Sequence, residues 1–350
     1  MFIGSGGNPT LGAQEFKAIA DAESSPASEL SSYTSSDLNS GLASLHLKDD
    51  SSIFTIHTST AVQNDKGAFA SRDMQRGDWI LSEEPIFSIA DATLDSLKYI
   101  SIVAVLRNLS PHHLDHLLSL HNSHTECSCF PNPLFGILAT NAFSINVDDA
   151  GICLRGSRFN HSCSPNARYS FNSNTGELRI YALGDISPGD EIFVTYRSLY
   201  GSPRRSRQEN LRTRYHFTCA CFVCSLSEAE SKMSDARRVK LNELWEIIPS
   251  FTPTQGIQRL NVIVEAIHLL REEGYLTDAD DFTNMAVPVC AYHSDWASAK
   301  YWARLTYQTR VAEFGEDSPR AAEVRGQYLN PKSLPLAGRG PPKKFTEIRV

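Results

Sequence analysis

Three thiols fall within six residues in the run Cys219-Ala220-Cys221-Phe222-Val223-Cys224. That spacing lets several soft ligands reach one metal ion, and zinc takes four of them in a closed tetrahedron with Zn–S near about 2.3 Å. The fourth must come from elsewhere in the chain. Cys163, in the short polar turn Asn160-His161-Ser162-Cys163, is the candidate, with Cys127 and Cys129 as rivals. A four-cysteine zinc leaves no open position, so such a metal is structural rather than catalytic.

Compartment bears on this reading. Met1–Thr10 lacks a basic stretch followed by an apolar core, so no secretory leader is expected there. In a reducing compartment, clustered cysteines bind metal or react rather than form structural disulfides. Nucleus, cytoplasm or both are the expected locations. The longest apolar run, around Tyr99–Leu106, is far short of the roughly 20 residues that cross a bilayer. The formal net charge of −7 speaks against direct nucleic-acid binding, which needs a basic face, and suits a basic protein partner.

Two other clusters carry chemistry-bearing types. His112, His113, His116, His121 and His124 precede Cys127 and Cys129, but two cysteines without C-x-x-C pairs do not spell a zinc finger. Arg204, Arg205, Arg207, Arg212 and Arg214 form a basic run, read as the solvated face of a helix.

The elements that must position these groups follow from local pattern. Residues 1–50, rich in Ser, Gly and Asp, show no sustained period and read as a disordered tail. Ile53–Thr58, Trp79–Ser82 and Ile86–Ile89 read as short strands, and Asp91–Leu120 as helical. Ala167–Phe171 and Leu178–Ala182 alternate around the turn Asn172–Gly176, which predicts a hairpin. The pattern Asp73-Met74-x-x-Gly77-Asp78-x-Ile80 returns as Asp185-Ile186-x-x-Gly189-Asp190-x-Ile192, one turn used twice. After Cys224 the apolar spacing is helical to about Phe314, with Gly274 and Gly315 at C-cap positions.

Taken in order, Asn160-His161-Ser162-Cys163-x-Pro165-Asn166, Gly189-Asp190-Glu191-Ile192-x-x-x-Tyr196 and Cys219-x-Cys221-x-x-Cys224 resemble a SET-domain protein lysine methyltransferase. Lys66-Gly67-Ala68-Phe69-Ala70 resembles that family's opening Gly-rich segment. Leu120-His121-Asn122, Asn141-Ala142-Phe143 and Ser234-Asp235-Ala236-Arg237-Arg238 are similar to the fungal type, with a C-terminal helical, tetratricopeptide-like region. That type is related to the SET and MYND proteins, although a clear MYND finger is lacking here. The resemblance covers roughly Phe54 to Ala322. It departs at Asp65, where the family has Gly, and at Ala68, where it has a larger aliphatic residue.

The resemblance implies an α+β chain: a SET-domain β fold with a pseudoknot, a zinc-bound post-SET segment and a C-terminal α-helical region. The expected bounds are 51–200 for the SET domain, with a helical insertion over about 91–140, and 201–225 for the zinc segment. The helical region is expected over 226–325, and 326–350 as a loose basic tail. It further implies S-adenosylmethionine as cofactor and zinc as structural metal. Asn160 and His161 hold the cofactor through backbone and amide contacts, Lys66 and Gly67 approach its methionine end, and Asn141 adds a polar contact. Phe217 stacks on the adenine and Tyr196 stands beside the transferring methyl. The zinc ligands are Cys163, Cys219, Cys221 and Cys224. The implied activity is methylation of a lysine on a protein substrate, a histone tail or a non-histone protein, with a further protein partner conceivable on the C-terminal helices. The alternative is an inactive, zinc-stabilised interaction module.

Overall fold

A computed structural model of the chain describes residues 53–59, 66–90, 105–125, 133–146, 148–197, 200–275 and 277–350. The expected disordered tail, Asp65, Cys127 and Cys129 lie outside those residues. Four strands come first: β1 (Phe54–Thr58), β2 (Lys66–Ala70), β3 (Trp79–Glu83) and β4 (Phe87–Ala90). Helices α1 (Pro111–Leu118) and α2 (Pro133–Asn141) precede β5 (Ala142–Ser144) and β6 (Asp149–Ile152). Then come β7 (Asn160–His161), β8 (Ala167–Asn172), β9 (Glu177–Ala182) and β10 (Phe193–Val194). Helices complete the order: α3 (Arg204–Tyr215), α4 (Glu228–Ile247), α5 (Gly256–Glu272), α6 (Ala279–Tyr292), α7 (Trp296–Phe314) and α8 (Pro319–Leu329).

The chain divides into two units. One holds the described residues within 85–157, and the other those within 49–84 and 158–350. In the first, β6 pairs antiparallel with both β4 and β5. Its core gathers Leu117, Leu138, Ile137 and Ile152, all nearly without exposure.

The second unit is built around β8 and β9. The predicted hairpin forms, with Ala167 opposite Ala182 and Asn172 opposite Glu177, and β3 adds to the other edge of β9. The two copies of the repeated turn pair with each other. Met74 and Ile186 exchange backbone hydrogen bonds of 2.9 and 3.0 Å. Each turn closes in the same way, Gln75 N–H on Asp78 Oδ2 and Ser187 N–H on Asp190 Oδ2, both 3.0 Å. Gly77 and Gly189 have φ of 90° and 89°, a conformation that a side chain would strain, which is why the pattern needs glycine at both places. Phe54, Met74, Ile80, Ile180 and Ile192 close the core behind this pair.

The helices pack as the apolar spacing requires. Leu241, Leu244, Leu260, Ile263 and Ile267 share one core with Phe282 and Trp302. Each such side chain contributes about 1.5–3 kcal/mol by leaving water. Ser227 and Glu230 cap the start of α4 reciprocally. The expected loose tail is a correction: Phe345 is buried against the His293 ring, and its N–H donates to Asp295 Oδ2 at 2.7 Å. Tyr301 O–H also donates to the Val350 carbonyl. The Pro-Lys composition drew the reading, while Phe345, Ile348 and Val350 supply the apolar surface that docks the segment.

Candidate functional site

β7 and β10 lie parallel, Asn160 opposite Phe193 and His161 opposite Val194, with the β8–β9 hairpin between them in sequence. Asn166 clamps this arrangement by acting as a second strand. Its Oδ1 accepts from Phe193 N–H at 2.7 Å and its Nδ2 donates to the Glu191 carbonyl at 3.0 Å. The Asn in Pro165-Asn166 was part of the sequence motif, but its role needs the two strands side by side.

The pairing sets His161 beside Tyr196. Tyr196 N–H donates to His161 Nδ1 at 3.1 Å, which fixes that nitrogen as the acceptor. Burial lowers the His161 pKa to about 4, with smaller opposing and assisting effects from Cys221 and Arg207, so the ring is neutral near pH 7. Its proton therefore sits on Nε2, which faces Cys163 Sγ at 3.4 Å. One imidazole thus joins the Tyr196 backbone to a cysteine sulfur. The Tyr196 hydroxyl donates to the Phe159 carbonyl at 3.3 Å.

Cys163, Cys219, Cys221 and Cys224 place their sulfurs within 4.8 Å of one another. Cys163 and Cys224 stand 3.6 Å apart. A tetrahedron with Zn–S near 2.3 Å has edges of about 3.8 Å, so these residues fit a structural zinc. Local structure delivers them. Gln208 on α3 holds Cys219 at both backbone groups, donating to its carbonyl at 2.6 Å and accepting its N–H at 2.9 Å. A short 3-10 turn, Phe222–Ser225, carries Cys224. The thiols also perturb each other: hydrogen bonding, first with Cys163, pushes Cys219 up and pulls Cys221 down. Sulfurs this close together are suited to sharing one divalent cation, which binds them as thiolates.

The basic run is only partly a solvated face, which corrects the sequence reading. Arg205, Arg212 and Arg214 are exposed, but Arg207 is buried and reaches Cys224 Sγ. Arg204 donates to the carbonyls of Cys224 and Leu226. Helical spacing showed a charged face, and only the position of the cysteine turn shows which arginines it covers.

Lys66 and Gly67 open β2, opposite Thr58 and His57. Asn160 Nδ2 donates to the Lys66 carbonyl at 3.1 Å and to Glu191 Oε1 at 2.8 Å, while Ser59 holds Glu191 Oε2 at 2.9 Å. Both amide hydrogens of Asn160 are therefore spent within the protein. A Cβ at Gly67 would run into the Glu191 carboxylate, so the backbone there is bare by necessity. Glu191 lay inside the sequence motif without an assigned role.

Phe217 is half-buried, with its ring 6.1 Å from His161 and 6.5 Å from Tyr196. Tyr215, which sequence reasoning passed over, lies 5.2 Å from Tyr196. Burial pushes the Tyr215 hydroxyl up, and pushes Tyr169 up to about 12. Its only signal in the sequence is the alternation Tyr215-x-Phe217 just ahead of the cysteines. Asn141 belongs to the other unit, where its amide donates to the His121 and Ile137 carbonyls, both at 2.7 Å. A bare glycine backbone and a half-buried aromatic face fit S-adenosylmethionine, whose ends are a small zwitterion and a flat purine.

The SET domain family model matches residues 65–197. Histone-lysine N-methyltransferase set5 of Schizosaccharomyces pombe is 30% identical over 220 residues, covering 62% of this chain and 68% of that protein. Protein-lysine N-trimethyltransferase SMYD5 of Danio rerio is 42% identical over 94 residues, 26% of this chain and 21% of its own length. N-lysine methyltransferase SMYD2 of Mus musculus is 26% identical over 217 residues, 54% of this chain and 49% of its own. The chain thus spans half or less of the latter two relatives.

Proposed function

Because this chain belongs to the SET-domain family of protein lysine methyltransferases, we propose that it transfers methyl groups from S-adenosylmethionine to a lysine side chain of a protein. The observation that carries the reading is the parallel contact of Asn160-His161 with the segment that ends at Tyr196, beside Phe217 and the four cysteines. The relative named as a histone-lysine methyltransferase supports a histone tail as substrate, and the chain's net charge of −7 suits so basic a partner. A nuclear place of action follows from that substrate. Among the described residues, no helix is long and apolar enough to cross a membrane.

S-adenosylmethionine, when bound, supplies a methyl on a sulfonium, whose positive charge also disfavours a protonated lysine nearby. The chain's residues do the rest by alignment. Lysine must attack as the neutral amine, which from a reference pKa near 10.4 costs about 4–5 kcal/mol at pH 7. Tyr196 donates its hydroxyl proton to the Phe159 carbonyl, so toward the amine its oxygen acts as an acceptor. Accepting an N–H of the amine would turn the nitrogen lone pair toward the methyl. The Tyr215 and Phe217 rings, 5.2 and 6.5 Å from the Tyr196 ring, line that place with aromatic surface. Glu191 and Asn160 brace the Gly67 backbone, which is offered to the amino-acid end of the cofactor.

Calorimetry of S-adenosylmethionine binding to the zinc-loaded protein, with Asn160→Ala as control, tests this without a guess about substrate. Micromolar binding that the variant loses is the expected result. A folded, zinc-replete protein that binds none would instead be an inactive interaction module.

A further inference from the structure

We propose that Arg207 is the counter-charge of the four-cysteine site, a buried cation on which this chain's grip on zinc depends. The proposal rests on the reading of the cysteines as a zinc site and stands apart from methyl transfer. Four thiolates around one divalent ion carry a net charge of −2, and three of these cysteines are buried. Charge removed from water without compensation is costly, so the surroundings must answer it.

Arg207 lies in the first turn of α3 with its side chain 1% exposed, and its Nη2 is 3.9 Å from Cys224 Sγ. Its other contacts leave the charge available. Nη1 donates to the Ser202 carbonyl at 2.7 Å, and Nε is buried with no hydrogen-bond partner. The carboxylate it meets, Asp235, stands at 3.5 Å, longer than a good bidentate pair, and that same oxygen accepts the Arg204 N–H at 2.7 Å. A guanidinium placed for Asp235 would sit closer to it. Arg238, the other buried guanidinium whose charge is felt near Cys163, is already matched by Glu273 at 2.8 Å.

His161 is the companion donor. Its Nε2 proton points at Cys163, so the sulfurs at the two ends of the 3.6 Å pair each face a donor. Such partners orient metal ligands and tune the metal, and losing one costs roughly 10–100-fold in affinity. The helix whose first turn holds Arg207 ends at Tyr215, which lies against Tyr196.

The test is zinc affinity of the full chain by competition with a chromophoric chelator, repeated with cobalt(II), whose thiolate absorption reports site occupancy. R207Q is expected to bind either metal about 10–100-fold more weakly. R204Q, which breaks only contacts to the Cys224 and Leu226 carbonyls, is expected to change affinity little. D235N keeps an acceptor for the Arg204 N–H but removes the competing charge, so it is expected to hold metal as tightly as the parent chain or more tightly. Unchanged affinity in R207Q overturns the proposal, as does an equal loss in R204Q. If R207Q does not fold, D235N decides, because weaker metal binding there would make the Arg207–Asp235 pair the purpose of the arginine. Intact metal affinity with no S-adenosylmethionine binding would sink the methyltransferase reading and leave this one standing.

Discussion

Tyr196 and Gly67 mark two demands that the chemistry places on single residues. In the proposed mechanism the tyrosine oxygen serves as acceptor because its hydrogen is committed to Phe159, and phenylalanine would keep the ring while removing that acceptor. We expect Tyr196→Phe to bind S-adenosylmethionine as the parent does and to turn over about a hundredfold more slowly, the scale of a lost alignment. Single-turnover rates on a validated substrate decide it, and an unchanged rate would remove Tyr196 from the mechanism. At Gly67 the demand is space. A methyl there meets the Glu191 carboxylate and stands 3.0 Å from Asn160 Nδ2, so one of the two must leave its place. Gly67→Ala should therefore weaken cofactor binding at least about tenfold, by loss of pre-arranged contacts, with zinc content unchanged. Calorimetry with a parallel metal count would show otherwise if binding survived.

Among the elements, the cysteine turn after α3 has little apolar surface of its own. Its core consists of Leu211 and the sulfurs, with Tyr215 and Phe217 at the margin. Structural zinc is worth on the order of 10–16 kcal/mol, whereas a whole domain is stable by about 5–15. Cys221→Ser should then release zinc and melt at least this turn, and a variant with one bound zinc and the parent's melting curve would disprove it. Elements of this kind were legible in the sequence to different depths. The β8–β9 hairpin and the helices after Cys224 show in local period, and the paired turns at Gly77 and Gly189 show in a repeated string. The same string could not say that Met74 and Ile186 bond to each other, since 112 residues separate them. Glu191 on Gly67, Arg207 on Cys224 and Tyr215 on Tyr196 stayed hidden for the same reason: each is a contact between elements, and periodicity speaks only within one. The docked C-terminus was misread because Phe345, Ile348 and Val350 find an apolar face only once the helices have packed, which local composition does not show.

At the scale of the whole molecule, the β sheet and the C-terminal helices of the second unit meet through charge. Glu313, near the end of α7, is fully buried and receives Arg168 of β8 at 2.8 Å and Arg76 of the first repeated turn at 2.9 Å. Arg168 also holds Asp278 at 3.1 Å and lies over the Phe314 ring. Burial pushes the Glu313 carboxyl up to about 7, against the pull of Arg168 and Arg76 and with help from Asp280 and Asp278. The sign of the consequence follows from linkage. A carboxyl that titrates near 4.3 in the unfolded chain and near 7 in the folded one binds its proton more tightly when folded. The stability it contributes is complete below about pH 4 and is lost as pH rises toward 7, a change of roughly 4 kcal/mol. Glu313→Gln abolishes that titration while keeping a side chain of similar shape. Denaturant unfolding of both proteins from pH 5 to 8 isolates it, because acid loss of zinc affects parent and variant alike. The parent should lose stability relative to the variant as pH rises, levelling off above pH 7. A difference that stays flat with pH would mean that the two arginines hold Glu313 ionised throughout, and that the sheet and helices are joined by a permanent ion pair rather than a titrating one.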